Sequence, residues 1–449
     1  MTTAVKYKPY PKYKSSGIDW LGDIPVGWEV KRLKNIIEPL QSGGRESESV
    51  NLDGGVLSIG GEHVGWNGEI LLENPRYISR EYYLQMNQGK IKENDVLLVK
   101  DGATIGKTAL IDKLFSEDAA VNEHVFIIRA NNKNTPKYLY YFIISKIGQE
   151  QICLEMRGSA QPGLNSGFID KSFLFAPPKD EQKQITDFLD RETAKIDGVV
   201  AKKQKLIELL KEKRQALITH AVTKGLDPKA KMKPSGIDWI GKIPVGWQVK
   251  RLKYISNTRV SNVDKKSEDE IPVKLCNYTD VYKNEFIDEK IDFMIATATR
   301  GQLGTFELKN GDVIMTKDSE TPDDIGVPAY VNLKYTKNIV CGYHLAISTP
   351  NKSILFGKYL FRLLQSSVFR AYFEIHSNGI TRFGLDTYSI FNANIPLPLL
   401  SEQRTIADFL DRETGKIDGV IKKVETQIEK LQEYRQALIS NAVTGKIKI

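Results

Sequence analysis

Cysteine is scarce in this chain: Cys153, Cys276 and Cys341 are the whole complement of 449 residues. Three scattered thiols exclude a disulfide framework, and none stands in a C-x-x-C pattern near a histidine, which argues against a structural metal. The five histidines, His63, His124, His220, His344 and His376, form no close cluster. Long apolar runs are missing too. No stretch approaches the roughly 18 residues of a membrane helix, and the basic start MTTAVKYKPYPKYK has no apolar segment behind it. The expected location is the cytoplasm. What is present is ordinary for a folded protein, with 41% hydrophobic and 27% charged residues and length enough for two or three domains. Lys and Arg number 64 against 56 Asp and Glu, a net charge of +8. Such a balance permits a polyanionic partner without requiring one.

The chain is written twice. SGIDWLGDIPVGWEVKRLK (Ser16–Lys34) returns as SGIDWIGKIPVGWQVKRLK (Ser235–Lys253), with three changes in nineteen positions. A second block, DEQKQITDFLDRETAKIDGVV from Asp180, returns as SEQRTIADFLDRETGKIDGVI from Ser401, and both copies run through RQALI to AVT. Each half is therefore an opening block, a long middle and a closing block. The middles have diverged, with weak echoes: NDVLLVKD against GDVIMTKD, VNEHV against CGYHL around His124 and His344, and KYLYYF against KYLFRL. Short β-rich runs between Gly, Asn and Asp turns dominate them, with one helix-like stretch after each Lys-Tyr-Leu. Each middle reads as a mixed α/β domain of about 150 residues by its strand and helix signals. Near-identical frames around unlike inserts suggest one scaffold presenting two recognition surfaces.

The closing blocks read as long helices. Asp180 and Ser401 are suited to N-caps, Glu181 and Glu402 to the first turn, and Gly225 and Gly445 to the ends. Apolar residues recur at heptad spacing through Ile185, Phe188, Leu189, Ile196, Val199, Leu206, Leu210 and Leu217. The second copy has Ile406, Phe409, Leu410, Ile417, Val420, Val424, Leu431, Tyr434 and Leu438. Lys203, Lys213 and Gln427 interrupt the stripes. A coiled coil between the two copies satisfies such faces most simply; packing of each helix on its own domain is the alternative. Asp187, Asp190 and Glu192 scatter around a helix with no histidine or lysine completing a site, so they read as a solvated or docking face.

Catalytic patterns fail one by one. GATIGKT (Gly102–Thr108) has a glycine spacing one short of a phosphate loop, and the second half has no lysine there, leaving Lys107 as a loop contact for phosphate. NPRY (Asn74–Tyr77) approaches an amino-methyltransferase string, yet no F-x-G-x-G loop accompanies it. EQK at Glu181 lies in a helix start and repeats as EQR. His124 and His344 fit packed or hydrogen-bonded strand positions, Asp101 and Asp318 turn-stabilising ones, and no serine or cysteine has a nucleophile's setting. Binding is what remains.

The doubled order of SGIDWLGDIPVGWEVKRLK, KNIIEPL, NDVLLVKDGATIGKTALI, GSAQPGLN and PPKDEQKQITDFLDRET, with GDVIMTKD, GITRFGLD and LPLLSEQRTIADFLDRET in the second half, resembles the specificity (S) subunit of type I restriction–modification enzymes. The resemblance covers essentially the whole chain. It implies an α/β (α+β) fold: two similar target recognition domains joined by a long antiparallel coiled coil in a pseudo-two-fold repeat. On that plan residues 1–178 are the first recognition domain with its opening block, 179–224 the first spacer helix and 225–234 a linker. Residues 235–399 are the second domain and 400–449 the second helix. It further implies a non-catalytic chain that binds a bipartite, asymmetric site in double-stranded DNA and docks two modification (methyltransferase) subunits and the restriction subunits. It implies no cofactor in this chain: S-adenosylmethionine, ATP and Mg are expected in the partners. The spacer helices then act as a ruler for the gap between half-sites. A self-contained methyltransferase or nuclease, and a protein-only coiled-coil adaptor, stay open as alternatives.

Arg and Lys pair with guanine edges and Asn and Gln with adenine, and all can hold phosphates. Turn-flanked candidates in the first domain are Arg45, Lys100, Lys107, Arg157, Gln161 and Asn165. In the second they are Asn277, Tyr278, Arg300, Lys317, Asn378, Thr381 and Arg382. Partner docking is expected at Asp187, Phe188, Asp190 and Arg191, and at Asp408, Phe409, Asp411 and Arg412.

Overall fold

The run NDVLLV shows no alternation of apolar and polar residues because its strand, Val96–Val99, is buried on both faces. Leu97 and Val99 join one core with Val125 and Ile127, while Val96 and Leu98 join another with Phe126 and Ile128. Successive side chains of a strand point to opposite faces, so this split defines layers. The computed structural model describes residues 7–46, 55–158, 162–264 and 270–449. The chain forms two compact units, Met1–Lys202 with Thr426–Ile449, and Lys203–Glu425.

In the first unit the central antiparallel sheet is ordered Gln41–Ser42, Val125–Ile128, Val96–Val99, Thr108–Leu110. One of its cores is shared with a smaller sheet of Arg76–Ile78, Val56–Ile59 and Ala119–Val121, in which Leu57 and Ala119 are partners in a parallel ladder. The other core is shared with the helices Pro136–Ile144 and Lys146–Glu155. The second unit repeats the plan. Val313, Met315 and Ala346 share a core with the helix Gly357–Leu364, and Ile314, Leu345 and Ile347 share one with the sheet of Met294–Ala298, Ile271–Cys276 and Ile339–Cys341.

Where one helix was expected after each Lys-Tyr-Leu there are two. Ser145 and Ser366 break them: each adopts an extended conformation and caps the following helix, accepting from Gly148 N and Phe369 N. A serine hydroxyl competes well for free amides at a helix start, which makes this a good place to turn.

The long helices are Lys179–Lys224 and Leu400–Val443. Their first bonds run from Gln182 N to Pro178 O and from Gln403 N to Leu399 O, both 2.9 Å, so Asp180 and Ser401 lie inside the first turn rather than at the cap. Gly225 (φ +77°) and Gly445 (φ +69°) follow the last turns in the left-handed conformation that ends helices.

Each unit holds the head of one long helix and the tail of the other. In the first, Ile185 and Leu189 share a core with Leu438, Ile439, Ala442 and Val443. The segments run antiparallel there: Glu181 bonds Trp28 and Gly445 abuts the same ring, while Arg435 meets Asp197 at 2.8 Å. In the second, Ile218, Ala221 and Val222 share a core with Ile406 and Leu410. There Glu402 and Gly225 both meet Trp247, and Arg214 meets Asp418 at 2.9 Å.

The heptad stripe is therefore not continuous. Val199, Leu206, Val420 and Tyr434 are exposed. Burial concentrates where head, tail and domain meet, although Ile421 and Val424 stay covered.

Three repeated strings converge at each of these junctions. The indole of Trp28 donates to Glu181 and that of Trp247 to Glu402, both at 3.1 Å. Tyr138 lies 2.9 Å from Phe175 O and 3.0 Å from Val443 O; Tyr359 lies 2.9 Å from Pro396 O and 3.2 Å from Val222 O. Gln436 donates to Ile144 O and Gln215 to Gln365 O, so RQALI is a tail that docks on a domain.

Candidate nucleic-acid interface

The echoes NDVLLVKD and GDVIMTKD end in Lys-Asp pairs, and the fold sets each pair beside a histidine in the turn that leads into the neighbouring strand. Lys100 N bonds His124 O, and Lys317 N bonds His344 O, both at 3.0 Å. This register brings His124 Nδ1 to 3.2 Å from Asp101 Oδ2 and His344 Nδ1 to 2.7 Å from Asp318 Oδ2. Both histidines are hydrogen-bonded, one of the two settings expected for them, but each stands in the turn before a strand and is partly exposed rather than lying within the strand. The lysine completes each group, its ammonium 3.9 Å from Asp101 and 2.9 Å from Asp318. An aromatic ring lies beside each ammonium, Phe126 at 4.9 Å and Tyr343 at 5.2 Å.

A Gly-flanked hairpin borders each group. Met156–Arg157 pairs with Gly163–Leu164, and Asp101 bridges to Gly163. In the second unit Asp318–Ser319 pairs with Phe383–Leu385, which pairs with Ser377–Asn378. A Cβ on Gly163 or Gly384 would stand 3.0 or 3.1 Å from the aspartate Oδ1, so the close approach favours glycine at both.

The fold gathers many of the expected base readers around these groups. Arg45 reaches Glu123, which also contacts His124, and Arg157 lies on the bordering hairpin. Lys107 sits one step along the ladder from Lys100, its ammonium 5.7 Å from the exposed Trp66 ring. Asn378, Thr381 and Arg382 are exposed on the second hairpin. Tyr278 bonds Ser319 and stacks on Tyr282 at 5.6 Å; burial raises its phenol pKa.

The side-chain oxygen of Asn165 is held in a local turn, accepting from Gly167 N, and that of Asn277 caps the helix Tyr278–Lys283, accepting from Asp280 N. Arg300 opens a separate helix, Arg300–Phe306. Gln161 lies outside the described residues. No motif of the sequence singles out Trp66 or Tyr343, whereas the echoed Lys-Asp and His are a signal for the Asp-His contacts.

The DFLDRET string divides between two duties. Phe188 and Leu189 are buried, and Thr193 bonds Leu189 O. Asp190 binds Lys137 at 2.8 Å and Tyr141 at 2.7 Å, while Asp411 binds Lys358 and Arg362, both at 2.8 Å. Phe188, Asp190 and Asp411 are thus committed to their own units, and Phe409 is half-buried. Asp187, Arg191, Asp408 and Arg412 are exposed.

Among the described residues no group of His, Cys, Asp or Glu is placed to hold a metal ion, and no helix is long and apolar enough to cross a membrane.

The chain matches the family described as "Type I restriction modification DNA specificity domain" twice, over residues 25–209 and 244–430. It belongs to that family. Among relatives, the specificity subunit of the type I restriction enzyme MjaVIII of Methanocaldococcus jannaschii is 24% identical over 437 residues, 95% of this chain and 94% of the relative. The EcoBI specificity subunit of Escherichia coli is 24% identical over 357 residues, 74% and 70% of the two chains. A solved chain from work on complex assembly and conformational transition of the type I R-M system shares the fold, with a TM-score of 0.70 at 17% identity over 94% of this chain and 99% of that one. The two matched stretches of this specificity-family chain end within the two long helices.

Proposed function

We propose that this chain is the DNA-specificity subunit of a type I restriction–modification complex. It binds a bipartite, asymmetric duplex site, each unit reading one half. The observation that carries the reading is the paired family match, laid over two units that share one plan and differ in the side chains around the Lys-Asp-His groups. The chain is non-catalytic in this reading. Methyl transfer from S-adenosylmethionine, and cleavage driven by ATP with Mg, belong to the modification and restriction subunits in the cytoplasm.

Arg45, Lys100, Lys107, Arg157, Gln161, Asn378, Thr381 and Arg382, with Tyr278, Asn165, Asn277, Arg300 and Lys317, are the candidate DNA contacts. The exposed Asp187, Arg191, Asp408 and Arg412 are the candidate docking contacts for two modification subunits. A duplicated string on two helices suits two copies of one partner.

The test is to assemble the chain with its modification subunits and map methylated bases across a genome. A bipartite motif is expected, and exchange of residues 35–175 for another such domain should alter one half of it. A single uninterrupted motif, or methylation by the chain alone, refutes the reading.

A further inference from the structure

The two middles share few side chains, yet Lys, Asp and His recur in both with the same Asp-His contact, the lysine ammonium 3.9 Å from the aspartate in one unit and 2.9 Å in the other. Burial in a core does not account for them, since the histidine side chains are 48% and 39% exposed. Holding the hairpin does not require these side chains either. The Asp101–Gly163 bridge and the Asp318–Gly384 pairing are backbone contacts, as are the bonds from Leu164 N to Lys100 O and from Leu385 N to Lys317 O, both 2.8 Å.

The sugar–phosphate backbone is common to two unlike half-sites, whereas their base sequences differ. Side chains repeated between the units therefore suit phosphate, and those that differ around them suit bases. The lysines also differ from ordinary surface lysines. Their side chains are only 22% and 16% exposed, with the ammonium set between an aspartate and an aromatic ring. A cation already confined in this way has less side-chain freedom to lose on binding.

We propose that Lys100 and Lys317 are a matched pair of DNA-backbone contacts, one per unit, gripping a phosphate whatever the local sequence. Asp101 with His124, and Asp318 with His344, are positioning residues that hold each ammonium. The unlike neighbours, Arg45, Trp66 and Lys107 in one unit and Tyr278, Tyr343 and Arg382 in the other, face the bases. This rests on the DNA-specificity reading above and deepens it.

The experiment measures affinity of the assembled complex for a cognate and a scrambled duplex over a range of salt, for the parent, Lys100→Ala, Lys317→Ala and the two Lys→Arg variants, and maps methylation for each. Each alanine variant should lower the slope of log affinity against log salt by about 0.9. It should weaken cognate and scrambled binding by the same factor and leave the methylated motif unchanged. The arginine variants should restore the slope. Slopes equal to the parent's overturn the proposal, as does a motif relaxed at one half-site, which marks a base contact. A lowered slope that arginine does not restore, with a lowered melting temperature, marks a structural role and overturns it as well. Failure of the parent complex to bind DNA strikes the specificity reading instead, and so is told apart.

Discussion

Asp190 and Asp411 hold the same place in the duplicated string, and their partners differ in one residue. Asp190 faces Lys137 and Tyr141, whereas Asp411 faces Lys358 and Arg362. The Arg362 side chain is 3% exposed against 37% for Lys137. Removing the partner of a buried cation leaves its charge uncompensated, while an accessible lysine is rehydrated. Asp411→Ala should therefore cost about 3–5 kcal/mol in urea unfolding, less what Glu285, 3.2 Å from Arg362, offsets. Asp190→Ala should cost about 1 kcal/mol for the accessible ion pair and about 1 kcal/mol for the Tyr141 hydroxyl that loses its acceptor. Equal losses would contradict this difference in environment. The thiols offer a second check. Cys276 and Cys341 are buried, which pushes both thiols up from their ordinary range, and Cys153 is exposed. A thiol reagent at neutral pH should label Cys153 in the native protein and all three cysteines only in denaturant.

At the scale of elements, the two helix ends look alike and should respond differently. A Cβ on Gly445 would run into the Pro25 ring, whereas one on Gly225 would meet Trp247 at 3.4 Å. Both sites carry the left-handed strain of about 1–2 kcal/mol for a non-glycine residue. Gly225→Ala should lose about that much and Gly445→Ala distinctly more, as read from thermal melting. These ends were legible in the sequence, as were both long helices and the burial of Ile185, Leu189, Ile406 and Leu410, because glycine and the apolar period act locally. That each helix copy helps to cover the other was legible as well; how far along the stripe that cover extends was not, since a heptad pattern shows that a face needs a partner and not where the domain takes over. The exposed Val199 and Leu206 fit the pattern as well as the buried Ile196 does. The Lys-Asp-His groups were half legible. Their letters recur, but Asp101 and His124 meet only through strand register, and a slip of one residue would turn them to opposite faces.

For the whole molecule, the exchange of helix tails makes the two units unequal in sequence: one is a single stretch, Lys203–Glu425, and the other joins Met1–Lys202 to Thr426–Ile449. The core of the first unit includes Leu438, Ile439, Ala442, Val443 and Ile447. Deleting residues 426–449 should therefore abolish hydrogen-exchange protection in Val96–Val99 and Val125–Ile128 while leaving it in Val313–Thr316. Protection kept in all three strands would show that the tail is dispensable. The same division bears on how the chain is made. Domains generally complete themselves in the order in which the ribosome releases them, N-terminal first. Here Met1–Lys202 must wait for Thr426–Ile449 to be translated, so Lys203–Glu425 is able to finish before the stretch that precedes it.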